Sequence, residues 1–289
     1  MPTTSGPKVS PEMAGLGSKM ARNAASLARD PSMVAEYLAW IASSVRTGGN
    51  PSRRLLDGIE VGNFANFSEY HSIPEFINLA ERRFFEQSPF GAGPIIDVGA
   101  NIGLVSLLLA RRFPDRAIHA FEPNLTTFET LEANIARNAA NKVSCHRYAV
   151  SDADGTVMFD NDPVARGTAS ISRDGGGNTA AVSATTLDSF VAKQGITAVG
   201  LLKIDVEGYE TLVLRGAQHV LNGIRPAAIY FEVCPALTER AGFGAADPAR
   251  MLIEAGYDLR RLTDSGSLTP ATLDEIAGVR LENWLATPR

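Results

Sequence analysis

From Pro94 onward, the apolar positions of this 289-residue chain alternate between short continuous runs and stretches of helical spacing. Ile95–Val98 reads as a strand, the segment to about Phe113 as a helix and Ala117–Phe121 as a second strand. A helix from Asn124 to about Asn138 and the run Val143–Val150 follow. This rhythm predicts a parallel sheet with helices on both faces. It then breaks: Gly155–Phe159, Ala169–Ser172 and Ala181–Ala184 are short strand-like runs between Asp, Gly and Asn turns, Gly175–Gly177 among them. They predict a small antiparallel insertion. The alternation resumes with a strand at Val199–Val206, a helix at Tyr209–Leu221, a strand at Ala227–Val233 and a helix at Pro248–Glu254. Asp247 is read as the cap of that last helix and Gly256 as its stop. Tyr257–Leu262 and Asn283–Thr287 are the final strands. No internal repeat is present.

Upstream the pattern is different. Residues 1–20 are poor in apolar positions and broken by Pro2, Pro7 and Pro11, which predicts a flexible leader. Asp30 and Pro31 form a helix start, and Met33, Val34, Tyr37, Leu38, Ile41 and Val45 recur at helical spacing until Gly48 and Gly49. Leu55–Phe67 fits either a short strand or a loop. Pro74–Gln87 reads as a second helix with Phe76, Leu79, Ala80 and Phe84 on one stripe. The expected division is a leader (1–20), a helical extension (21–73) and one large α/β domain (74–289). The extension could be an acceptor lid or a contact in a homo-oligomer.

Composition narrows the partners. A net charge of -5 gives no broad basic field for nucleic acid or an anionic membrane. Cys145 and Cys234 fall in apolar runs without CxxC spacing and read as reduced thiols, which with the lack of a signal-peptide core sets the expectation of a cytoplasmic protein.

The densest chemical signal is Ile95–Gly103, where a strand passes through a small-residue turn directly into a helix. Unpaired N–H groups and the positive end of the helix dipole converge there. The spacing Asp97-x-Gly99-x-Asn101-x-Gly103 departs from the dinucleotide fingerprint Gly-x-Gly-x-x-Gly. Asn101 stands within the turn, and Asn tolerates positive φ. Glu122 ends the second strand, nineteen residues after Gly103. At such a tip a carboxylate can accept hydrogen bonds from both hydroxyls of a ribose. Adenine is then expected around Ala149–Asp152, with Ala149, Ser151 and Asp152 beside it.

A second block, Leu201–Glu210, carries Lys203 and Asp205 on one face of a strand, with Glu207 next in register. Glu232 ends the next strand. Asp205 and Glu232 could accept a substrate proton or clamp a divalent cation such as Mg through oxygen ligands. No HxH, HxxxH or CxxC pattern marks a transition-metal site. Of the four histidines only His71, in a polar loop, is read as a candidate base; His119, His146 and His219 fall within regular elements.

Taken in order, Ile96-Asp-Val-Gly-Ala-Asn-Ile-Gly103, Phe121-Glu-Pro123, Ala149-Val-Ser-Asp152, Thr186-Leu-Asp188 and Leu202-Lys-Ile-Asp-Val-Glu-Gly-Tyr-Glu210 resemble the FkbM-type branch of the class I S-adenosylmethionine-dependent methyltransferases. The likeness covers about Pro74 to Pro288. It implies a Rossmann-like α/β fold: a seven-stranded, mostly parallel sheet with a reversed C-terminal hairpin. It also implies S-adenosylmethionine as methyl donor and a small-molecule hydroxyl acceptor on a sugar, polyketide or other secondary metabolite. The cofactor residues are then Asp97, Gly99, Ala100, Asn101, Gly103, Glu122, Ala149, Ser151, Asp152 and Asp205. Asp205 leads the acceptor side, followed by Glu232 and Glu207, with Lys203 in an electrostatic role and His71 as an outsider. The alternatives are a non-catalytic S-adenosylmethionine-binding scaffold and an NAD-dependent oxidoreductase.

Overall fold

The computed structural model describes residues 32–55, 58–64, 66–73, 77–160 and 179–289. The expected leader, the Asp30–Pro31 helix start, Phe76, the strand Ala169–Ser172 and the Gly175–Gly177 run lie outside the described residues. The chain divides into two compact units, Met1–Arg53 with Gly62–Pro74 and Arg54–Val61 with Glu75–Arg289.

The first unit contains helices α1 (Ser32–Arg46) and α2 (Phe67–Ser72). Tyr37, Trp40 and Phe67 pack as an aromatic cluster, with the Tyr37 and Phe67 rings edge to face at 4.9 Å. Arg53 and His71 both engage Glu36, Nη2 at 3.1 Å and Nδ1 at 2.7 Å. Leu55–Phe67, open between strand and loop in the sequence pattern, holds the three-residue strand β2 (Glu60–Gly62), and another, β1 (Ser52–Arg54), comes just before it.

The second unit is built on an eight-stranded sheet. Its strands are β3 (Ile95–Val98), β4 (Ile118–Phe121), β5 (Val143–His146), β9 (Leu201–Ile204), β10 (Ile229–Val233), β11 (Tyr257–Leu262), β12 (Leu268–Pro270) and β13 (Glu282–Pro288). They lie in the order β12-β11-β13-β10-β9-β3-β4-β5. The five strands from β10 to β5 are parallel, and β13 runs against both β10 and β11. The sheet thus carries one strand more than the expected seven, the three-residue edge strand β12, which pairs only over Leu268–Pro270. Both faces of β3 and β9 are buried, as their unbroken apolar runs require. One face holds Ile96, Val98, Leu202, Ile204 and Phe231 in a large core; the other receives α3 (Leu79–Gln87) and α4 (Leu104–Arg112).

Helix α3 starts later than the pattern predicts. Asn78 and Glu81 form a reciprocal capping box there, and Leu79 faces solvent while Ala80, Phe84 and Phe85 are buried. Helix α5 (Leu125–Arg137) matches its expected limits, with Asn124 as N-cap and Asn138 as C-cap. The run Val143–Val150 is two strands: β5 ends at His146, and Ala149–Val150 leaves as β6 to pair in parallel with β8 (Thr179–Thr185). Strand β7 (Gly155–Asp160) completes this small sheet antiparallel to β8, so the insertion is mixed. Helix α6 (Leu187–Gln194) follows β8.

The expected helix Tyr209–Leu221 is also broken, into α7 (Glu210–Arg215) and a π-turn at Val220–Ile224. Short helix α8 (Pro235–Arg240) follows β10, and α9 (Asp247–Glu254) precedes β11. Asp247 is inside α9 and does not cap it; Ala246 is the N-cap, and the Asp247 carboxylate accepts from the Gly244 N–H and pairs with Arg250. Among the described residues no helix is long and apolar enough to cross a membrane.

Candidate active site

Strand order reverses at β3, with β4 on one side and β9 on the other, and the crevice at a sheet's topological switch point is where open α/β folds hold ligands. The register places Asp97 beside Lys203 and Lys203 beside Tyr230, one polar row across β3, β9 and β10. Side chains two residues on share that face, so the strand ends bring Gly99, Asp205 and Glu232 into the next row.

The turn after β3 is folded against β9. Gly99 has φ of 78°, and a Cβ there would stand 1.8 Å from the Asp205 carbonyl oxygen. Asn101 takes φ of 51°, the left-handed conformation expected of it. Gly103, with φ of 90°, is the N-cap of α4 and packs against Leu131.

Beneath this turn Asp97 is fully buried. Its Oδ2 accepts from the Ser106 hydroxyl at 2.6 Å, and its Oδ1 faces Lys203 Nζ at 3.1 Å. The same ammonium donates to the Gly99 carbonyl at 2.9 Å and lies 3.5 Å from Asp205 Oδ2. Burial opposes the charge on Lys203, but the carboxylates of Asp97 and Asp205 outweigh it and hold its pKa well above the usual lysine value.

Glu122 grips the turn from the other side. Its Oε2 accepts from Asn101 N at 3.1 Å and its Oε1 from Asn124 N at 2.9 Å. Burial exceeds the effect of these two donors and raises its pKa to about 7. After β9, Glu207 has φ of 56° and Gly208 has φ of 97°. Glu210 holds this turn through one oxygen that accepts from Val206 N and Gly208 N, both at 3.2 Å. Burial pushes Glu207 and Glu210 to about 7, with neighbouring carboxylates adding to the rise, and pushes Glu232 to about 9.

Two clefts open around these strand ends. The first has about 730 Å³ of empty space, solvent mouth included, and is lined by Gly99, Asn101, Glu122, Asp205, Glu207 and Tyr209. Phe121, Tyr148, Ala149, Val150 and Phe159 form its apolar side. The second, about 1560 Å³ with its mouth, is lined by Ala100, Lys203, Asp205, Glu207, Tyr230, Glu232 and Asn283, with Glu81 from α3. Gly99, Asn101, Asp205 and Glu207 line both.

Thus Gly99, Asn101, Glu122, Ala149 and Asp205 meet at one cleft, and Lys203, Glu207 and Glu232 at its neighbour. Asp97 and Gly103 line neither and shape the turn from behind. Ser151 and Asp152 line neither as well: Ser151 N donates to Thr185 O, and its hydroxyl donates to Asp152, at the root of the small sheet. His71 belongs to the first unit, where Glu36 engages it. Among the described residues no group of three or more His, Cys, Asp or Glu could hold a metal ion.

Sequence reasoning missed Tyr148, Phe159, Tyr209, Tyr230, Glu81 and Asn283. Tyr148 adjoins a motif and Tyr209 lies within one, so both carry a signal in their position. Glu81 and Asn283 come from distant segments and have none.

Residues 97–259 match the family described as the methyltransferase FkbM domain. The hexuronic acid methyltransferase AglP of Haloferax volcanii is 30% identical over 160 residues, covering 55% of this chain and 61% of that protein. The 31-O-demethyl-FK506 methyltransferase FkbM of Streptomyces tacrolimicus is 34% identical over 43% of this chain and 59% of that protein. The chain therefore spans about three fifths of the length of these curated relatives. Among solved structures, a methyltransferase FkbM from Methylobacillus flagellatus aligns with 15% identity and a TM-score of 0.44, over 68% of this chain and 43% of that one.

Proposed function

The chain belongs to the FkbM family of methyltransferases, and from that premise we propose that it moves the methyl group of S-adenosylmethionine to a hydroxyl oxygen of a small-molecule acceptor. The observation that carries this reading is the pair of clefts joined through Gly99, Asn101, Asp205 and Glu207. A transfer enzyme needs two sites that meet at one point, since much of the rate comes from holding donor and acceptor in line.

The first cleft fits the nucleoside part of the donor. Glu122, fixed by two backbone N–H groups, keeps lone pairs for the ribose hydroxyls. Tyr148, Val150 and Phe159 offer an apolar, aromatic wall suited to adenine. S-adenosylmethionine, when bound, supplies an electrophilic methyl on a sulfonium.

Asp205 and Glu207 both line the two clefts, and Asp205, held by Lys203, is the carboxylate best situated to take the acceptor's hydroxyl proton. Lys203 is a positioning residue, tying Asp205 to the Gly99 turn and to Asp97. Glu207, shared by the two clefts, and Glu232, on the acceptor side, have raised pKa values and can donate as well as accept near neutral pH. The relative named for 31-O-demethyl-FK506 supports oxygen as the methylated atom.

Calorimetric titration with S-adenosylhomocysteine tests the assignment. Glu122→Ala and Asp97→Ala are expected to weaken binding by about tenfold or more, the first by loss of ribose contacts and the second through the turn. Asp205→Asn is expected to bind as the native chain does while turnover falls by about 10²–10⁴. Unchanged affinity in both cofactor-side variants would sink the site.

A further inference from the structure

Glu232 and Asn283 stand directly opposite each other on the antiparallel strands β10 and β13. Both line the second cleft, and each keeps one buried oxygen, Glu232 Oε2 and Asn283 Oδ1, that has no hydrogen-bond partner among the described residues. The Asn283 amide cannot simply turn over. Its Nδ2 donates to Glu81 Oε1, which also accepts from the Tyr230 hydroxyl at 2.7 Å. A flip would set oxygen against oxygen, so Oδ1 stays the acceptor of this cleft-lining side chain.

With Glu232 ionised, the two are neighbouring buried acceptors that call for a donor, because an unmatched buried polar atom costs about 1–3 kcal/mol. A hydroxyl has one O–H and can serve one of them; an ammonium group has three N–H bonds and can serve both. Charge points the same way. Lys203 is the lining cation of this cleft among the described residues, and Asp97 and Asp205 already hold it. Asp205, Glu210 and Glu207 add their repulsion to burial in raising the Glu232 pKa, a cost that an arriving cation removes.

We propose that the second cleft recognises a protonated primary amine seated between Glu232 and Asn283, so that the acceptor is a hydroxyl-bearing amine, such as an amino sugar, and not a sugar acid. This rests on the second cleft being the acceptor site of the methyl transfer proposed above.

The test is titration of the full chain, saturated with S-adenosylhomocysteine, with three probes: methyl glucosaminide, its N-acetyl form and methyl glucuronide. The amine is expected to bind about tenfold more tightly than the acetamide, with the glucuronide weakest. Glu232→Gln, which keeps the side chain's size, is expected to bring the amine-to-acetamide ratio to within about twofold. Should that variant fail to fold, the ratio on the native chain decides alone. Equal binding of amine and acetamide, binding of none of the three, a glucuronide preference, or an amine preference that survives Glu232→Gln overturns the proposal. Equal binding would mean that a proton on Glu232 already satisfies Asn283. The two readings fail separately. If S-adenosylhomocysteine binds and the amine is not preferred, methyl transfer stands and amine recognition falls. If it does not bind, the donor assignment falls, and titrating the bare chain with the same probes still decides amine recognition.

Discussion

Gly99 leaves no space for a side chain, because its backbone is pressed against the carbonyl of Asp205 in conformational territory that disfavours a Cβ. Gly99→Ala must therefore push the two turns apart, and a loss of about 3 kcal/mol or more in denaturant unfolding is expected. Lys203→Met removes the ammonium from between Asp97 and Asp205. It leaves Asp97 charged and fully buried with only Ser106 to bond it, so unfolding experiments should register a loss of about 3–5 kcal/mol. At this scale the sequence was readable wherever a role follows from the local chain. The tight turn at Asp97–Gly103, the carboxylate of Glu122 at a strand end and the shared face of Lys203 and Asp205 are all consequences of strand alternation and turn geometry. The sequence did not show that Asp97 works from behind the turn, since burial depends on what else arrives there. Nor did it show that Asn283 meets Glu232, a pairing that joins segments fifty-one positions apart.

Among the elements, the Thr186-Leu-Asp188 motif turns out to be a double fastening. Thr186 accepts from Ser189 N and starts α6, while the Asp188 carboxylate accepts from His219 N and Val220 N, both at 2.9 Å, at the head of the π-turn. Asp188→Ala is expected to cost about 1–2 kcal/mol in thermal or denaturant unfolding while leaving S-adenosylhomocysteine affinity near the native value. The same region explains why one expected helix became two pieces. Gly216 passes so close to Ser151 that a Cβ would lie 2.0 Å from the Ser151 carbonyl oxygen, and α7 ends just before it. Apolar spacing continues through this break, so periodicity alone could not reveal it. The break in Val143–Val150 was hidden in the same way: Ala149 and Val150 are as apolar as the residues before them, yet they pair with β8 instead of continuing beside β4. The strand β12 escaped because three residues carry too little pattern to register.

For the molecule as a whole, the buried and half-buried carboxylates set the response to pH. Glu122, Glu207 and Glu210 are raised from 4.5 to about 7 and Glu232 to about 9. Between 4.5 and these values the folded chain keeps protons that the unfolded chain has released, so stability falls as pH rises through that window. Half-buried His146 acts oppositely, with a pKa lowered from 6.5 to about 4, but its contribution is complete above pH 6.5. The melting temperature is therefore expected to fall from about pH 6.5 to 9, and Glu232→Gln should flatten the alkaline part of that fall. A calorimetric melting series in matched buffers checks both. The order of the sheet has a different consequence. Strand β13 comes last in sequence among the sheet strands, yet it lies between β10 and β11. While the chain is still leaving the ribosome, β11 and β12 have only each other to pair with, and β10 presents a bare flank to its surroundings. The nascent protein can assemble β3, β4, β5, β9 and β10 early, but it must shelter an unfinished edge until β13 has been translated.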